Sequence, residues 1–115
     1  MSWLDELDPS LVARSTSLER EGVKEVAWDK QTAHLVVRKL SDLGYAILGG
    51  DVWKKDEHGR WRPAHDNWYL DPHRGEAVGS YIDRSLTRAD AFIASYVDPG
   101  DGTVGYVIVA KRWVG

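Results

Sequence analysis

The residues able to do chemistry gather between Gly44 and Tyr69, in the run GYAILGGDVWKKDEHGRWRPAHDNWY. Histidine and carboxylate are good zinc ligands, and His58, His65, Asp66 and, just beyond, His73 lie in or beside expected turns. Their spacing matches no metal motif, the fourth histidine, His34, is remote, and the chain has no cysteine to complete a tight ligand pair. The reading is four solvated histidines and no metal. Asp51 and Asp66 could face each other across a hairpin as an acid/base pair, as two carboxylates do in glycosidases. Carboxylates on a surface hairpin are more often solvated or paired, here with Lys55 or Arg62. No serine sits in a GxSxG elbow, so nucleophilic catalysis has no foothold. Gly49-Gly50-Asp51 is not a phosphate cradle, because its glycines lead into an alternating strand rather than a helix start. Trp53 and Trp61 interleave with Lys54, Lys55, Arg60 and Arg62, a pattern that can stack single-stranded nucleic acid. The same tryptophans can instead anchor a protein partner, with Asp51, Asp56, Glu57 and Asp66 setting the charge around them.

These residues need a frame. Tyr45-Ala46-Ile47-Leu48 is a continuous apolar run, suited to a strand buried on both faces. Gly49-Gly50 interrupts it as a bulge or a close backbone approach. Alternation then puts Asp51, Trp53 and Lys55 on one face and Val52 and Lys54 on the other. Asp56 to Gly59 turns the chain. Arg60 to Arg62 starts the return, Pro63 breaks its ladder, and Asp66 to Leu70 completes it. Before this hairpin, Asp29 is an N-cap, and Ala33, Val36, Val37, Leu40 and Leu43 form one helical stripe that Gly44 ends. After it, Ser80-Tyr81-Ile82-Asp83 has capping-box spacing, and Ile82, Leu86, Ala89 and Ile93 share a helix face that runs to about Tyr96. Asp98 to Gly102 breaks the chain, and Thr103 to Trp113 reads as a closing strand, apolar on both faces. Such a strand sits centrally or is partly covered by an amino-terminal segment.

Earlier still, Asp8-Pro9 and Ser17 to Arg20 look like short helix starts, the second stopped at Gly22, and Val23 to Trp28 reads as extended. Residues 1–17 are expected to form a loosely attached segment. The fold class is α+β, a small antiparallel sheet of three to four strands with two main helices packed chiefly on one face.

A chain of 115 residues suits one domain able to bury a core without metal or disulfide. The six tryptophans divide between core, with Trp28 and Trp68 as candidates, and surface, with Trp53 and Trp61. Net charge is −3, spread as −4 over residues 1–29, +3 over 30–62 and −2 over 63–115. So small a negative total argues against nonspecific nucleic-acid binding by the whole domain. The acidic start carries no basic, then apolar signal, and no stretch approaches membrane-spanning length, so a cytoplasmic protein is expected, as a monomer or weak homodimer.

Three runs in order, Gly22-Val23-Lys24-Glu25-Val26-Ala27-Trp28, Ala46-Ile47-Leu48-Gly49-Gly50-Asp51-Val52-Trp53 and Asp66-Asn67-Trp68-Tyr69, resemble the immunity protein 40 family of bacterial polymorphic toxin systems. The likeness extends from about Leu18 to Ala110 and includes the helix before Tyr96 and the closing strand. The resemblance implies a small antidote that binds a cognate protein toxin and blocks its active site or a needed surface, without cofactor or catalysis. It carries over no contact residues. The motif residues have a structural reading beside the functional one: Gly49-Gly50 as a bulge, Asp51 as a turn cap, and Asp66-Asn67 as partners of nearby backbone.

Overall fold

The computed structural model describes residues 2–114. Three helices and five strands alternate along the chain: α1 (Pro9–Ala13), β1 (Thr16–Ser17), β2 (Val26–Ala27), α2 (Lys30–Asp42), β3 (Tyr45–Lys55), β4 (Trp61–Tyr69), α3 (Val78–Ser95) and β5 (Val104–Arg112). The main sheet is antiparallel in the order β4-β3-β5, and β1 and β2 pair as a separate short ribbon. The class is α+β, as the patterning indicates, with α2 and α3 as the two main helices.

Local chemistry explains most of the boundaries. Asp29 caps α2, its carboxylate accepting from the Thr32 N–H at 2.7 Å. Gly44, at φ 88°, turns the chain out of that helix and into β3. Asp8 accepts from the Ser10 N–H ahead of Pro9, and Ser17 accepts from the Glu19 N–H to open a 3-10 turn that closes on Gly22 at φ 88°. α3 departs from expectation. It begins at Val78 after Ala77, with no side-chain cap, so Ser80 lies inside the helix. Its start is held from outside: Arg84 grips Glu76 through two bonds of 2.9 and 2.7 Å and donates to the Asp71 carbonyl, while Glu76 accepts from the His73 N–H. Its buried stripe is Tyr81, Ser85, Ala89 and Ile93. Two of these are polar, and both are satisfied. Tyr81 donates to the Leu70 carbonyl at 2.5 Å, and the Ser85 hydroxyl accepts from the Ile47 N–H and donates to the Ile82 carbonyl.

Both long helices lie against one face of the sheet. Val36, Val37, Leu40, Ala89 and Ile93 meet Ile47, Val52, Trp68, Tyr106 and Ile108 there, and Trp28 and Leu7 complete the core. The opposite face carries a smaller cluster in which Leu18 and Ala27 cover Trp53 and Val107. β5 is therefore an edge strand covered in part by the amino-terminal segment, and β3 takes the central place. At β5, Trp28 exchanges both backbone bonds with Tyr106, at 3.0 and 2.8 Å. Within residues 2–15, Trp3, Leu4, Leu11 and Val12 pack against the core. Leu7 is buried, Trp3 stacks on Trp28 with centroids 6.0 Å apart, the Trp28 indole N–H donates to the Leu11 carbonyl, and Glu6 meets both Tyr45 and Arg112.

Candidate functional site

The β3–β4 hairpin is shaped by two irregularities and two glycines. Register shifts between Ile47 and Gly49 against β5, and between Asp51 and Trp53 against β4. The second leaves His65 at φ 63°, a left-handed conformation that a bulge imposes on a non-glycine residue. A side chain at Gly49 would meet the Trp68 carbonyl oxygen at 2.2 Å. One at Gly50 would meet the Trp68 ring at 2.3 Å and the Val107 carbonyl oxygen at 2.4 Å. The double glycine is thus the seat of Trp68, whose ring lies over Gly50 and stacks on Phe92 with centroids 4.6 Å apart. The Trp68 indole N–H has no hydrogen-bond partner among the described residues, so packing alone holds the ring.

The six residues singled out as partner-binding are not brought into one patch. Trp53 is only 9% exposed, beneath Leu18, which corrects its expected place at the surface. Sequence alternation gave its face, but the cover comes from residues far earlier in the chain. Trp61 is half-buried, with the Lys55 ammonium 5.3 Å from its ring centroid and Gly105 leaving room beneath it. Asp56 organises the turn. It accepts from the His58 and Arg60 N–H groups, both at 2.9 Å, and from Arg62 at 3.4 Å. The backbone donation from Arg60 is the main cause holding its carboxyl below the usual range. Glu57, at the tip, is exposed and lies 3.6 Å from His58. Asp66 accepts from the Tyr96 hydroxyl at 2.5 Å, at the end of α3, and so serves a side chain rather than nearby backbone. Asp51 caps no turn. It sits in mid-strand opposite Asn67, half-buried, and its carboxylate has no hydrogen bond or ion pair among the described residues.

These positions bear on each reading of the hairpin. Asp51 and Asp66 do not converge as an acid/base pair. The basic residues are engaged: Lys54 lies 5.5 Å over the Tyr96 ring, Arg62 reaches Asp56, and Arg60 makes two bonds to Glu21 at 3.0 and 2.7 Å. Glu21, whose side chain is 6% exposed, also accepts from the Trp61 N–H, and the Arg60 guanidinium holds its carboxyl below the usual range. Among the described residues, no three His, Cys, Asp or Glu side chains are grouped to hold a metal.

Only half of the sheet's second face is covered. Beyond Trp53 it lies open, with Tyr69 73% and Val109 40% exposed beside Asp51 and the exposed Asn67. They border a shallow depression of about 420 Å³. Tyr69 and Asn67 were not among the expected contact residues. The signal was present in DNWY, since a buried Trp68 forces its two neighbours onto the other face.

The family model for immunity protein 40 matches residues 17–110. The chain belongs to this family. Membership supports an immunity-protein role in general. No curated protein and no solved structure shows a significant match. The three runs that carry the family likeness interlock in space. Ala27 covers Trp53, Trp28 bridges to β5, and Gly49, Gly50 and Asp51 stand opposite Tyr69, Trp68 and Asn67. Within this immunity protein 40 chain the glycines and tryptophans of those runs are framework, and Asp51, Asn67 and Tyr69 stand free of it. No helix among the described residues is long and apolar enough to cross a membrane.

Proposed function

We propose that this immunity protein binds a cognate protein toxin in the cytoplasm of the producing cell and neutralises it by covering its active site or a surface it needs. The observation that carries the reading is the family match over residues 17–110. The contact surface follows the β3–β4 hairpin, from Glu57 and Trp61 near its tip to Asp51 beside the open sheet face. Trp53, Asp56 and Asp66 support that surface: Trp53 by packing under Leu18, Asp56 by fixing the turn, and Asp66 by tying β4 to Tyr96 at the end of α3. A rigid hairpin suits an inhibitor, because a pre-organised surface loses little freedom on binding. No catalytic step and no cofactor is part of this reading.

The test is co-expression with the toxin domain encoded beside this chain's own gene. Cells should survive with the intact chain and die without it, and the two proteins should co-elute from a sizing column. Survival without any complex, or a complex without protection, would sink the proposal.

A further inference from the structure

The depression on the open half of the sheet's second face has a single charged residue in its lining. The depression there is lined by Leu48, Asp51, Asn67, Tyr69 and Val109 around the Gly49-Gly50 stretch. Asp51 is its only charged lining residue. Its carboxylate is half-buried and has no ion-pair or hydrogen-bond partner among the described residues, while Asp56 in the turn and Asp66 in β4 are both engaged. Beside it stand a phenol ring that is 73% exposed and a valine that is 40% exposed.

We infer that this depression is the receiving site for an arginine side chain of the toxin, a step that rests on the toxin-binding reading above. Each part suits a guanidinium. The carboxylate of Asp51 accepts the paired N–H groups that a planar guanidinium offers in a fork. The Tyr69 ring offers a face for the same cation to stack on. Asn67, directly opposite Asp51 in the strand pair, adds an amide oxygen, and Val109 and Leu48 flank the aliphatic stem. The surrounding apolar area removes water from the pair, which strengthens a correctly matched charge and penalises a wrong one. Charge also argues against a second copy of this chain as the occupant. A two-fold contact centred on this depression places it against itself, and its lining contains a carboxylate and no cation.

The experiment compares wild type, Asp51→Asn and Tyr69→Ala for binding to a catalytically dead form of the toxin domain encoded beside this chain's gene. Circular dichroism and a thermal melt first establish that each variant is folded. Val109→Arg, on the exposed rim, serves as the second probe should Tyr69→Ala unfold. The expected result is a loss of about thirtyfold or more in affinity for each variant, the ratio that marks a hot-spot residue. The salt dependence of binding should also be shallower for Asp51→Asn than for wild type. Replacing the toxin's surface arginines singly should reveal one whose loss costs nothing further in the Asp51→Asn background, the signature of a direct pair. Unchanged affinity in folded variants overturns the arginine site while the immunity reading stands, since wild type still binds. Absence of binding by wild type overturns both. A wild-type dimer that Tyr69→Ala dissociates assigns the face to a second copy and overturns the site as well.

Discussion

Glycine at positions 49 and 50 is required by what lies over it. At Gly50 the nearest groups are the Trp68 ring and a β5 carbonyl, so Gly50→Ala must push one of them away. We expect a loss of about 1–3 kcal/mol or more in urea denaturation, as for other over-packed sites. Gly49→Ala should be worse, because its obstacle at 2.2 Å is backbone that cannot rotate aside. Trp53 shows how a residue's place decides what its mutation reports. It is buried with Leu18 and Val107, so Trp53→Ala should cost about 3–5 kcal/mol of stability, read by the same denaturation. Reduced toxin binding by that variant would then reflect an unfolded fraction rather than a lost contact. Leu40 and Ile93, both fully buried, should each cost about 2–5 kcal/mol on replacement by alanine. Those two were legible from helical spacing alone. The burial of Trp53 was not, since alternation tells which side of a strand a residue takes and is silent about what comes to rest on that side.

At the scale of elements, α2 was legible because every local signal agreed: a capping aspartate, an apolar stripe and a terminal glycine. The start of α3 was misread because Ser80 to Asp83 imitates a cap, whereas the helix is set by the Glu76–Arg84 pair and the Asp71 carbonyl, partners scattered along the preceding loop. That pair makes a pH prediction. Arg84, with the His73 N–H, lowers the Glu76 carboxyl from 4.5 to about 2. A carboxylate depressed on folding contributes its full stabilisation above the unfolded pKa and loses it as pH falls through the folded one. Stability should therefore decline between about pH 4.5 and pH 2, and Glu76→Gln should flatten that part of the curve in denaturation at a series of pH values. The Glu21 clamp on Arg60 and on the Trp61 N–H makes another. Glu21→Gln should speed hydrogen exchange at the Trp61 amide while leaving the core amides of α2 unchanged. Unaltered exchange at Trp61 would mean that the hairpin is stiff without its clamp.

Across the whole molecule the layers do different work. The helix-covered face carries the main core, the half-covered face carries a second cluster, and the open remainder carries the groups left without partners. The α+β class and the position of the hairpin could be read from periodicity and turn chemistry. The division of the second face into covered and open halves could not, because it depends on where residues 16–28 come to lie. The joining of distant parts has a temporal consequence. β3, the middle strand, has its β5 partner only in Val104–Arg112, and Trp28 and Glu6 each reach residues of that same closing strand. During synthesis the amino-terminal segment, the hairpin and both helices therefore emerge before the strand that unites them. The native core therefore forms only once Val104–Arg112 has emerged and docked on β3, and a chain that stops before Val104 lacks the strand to which β3, Trp28 and Glu6 are all joined.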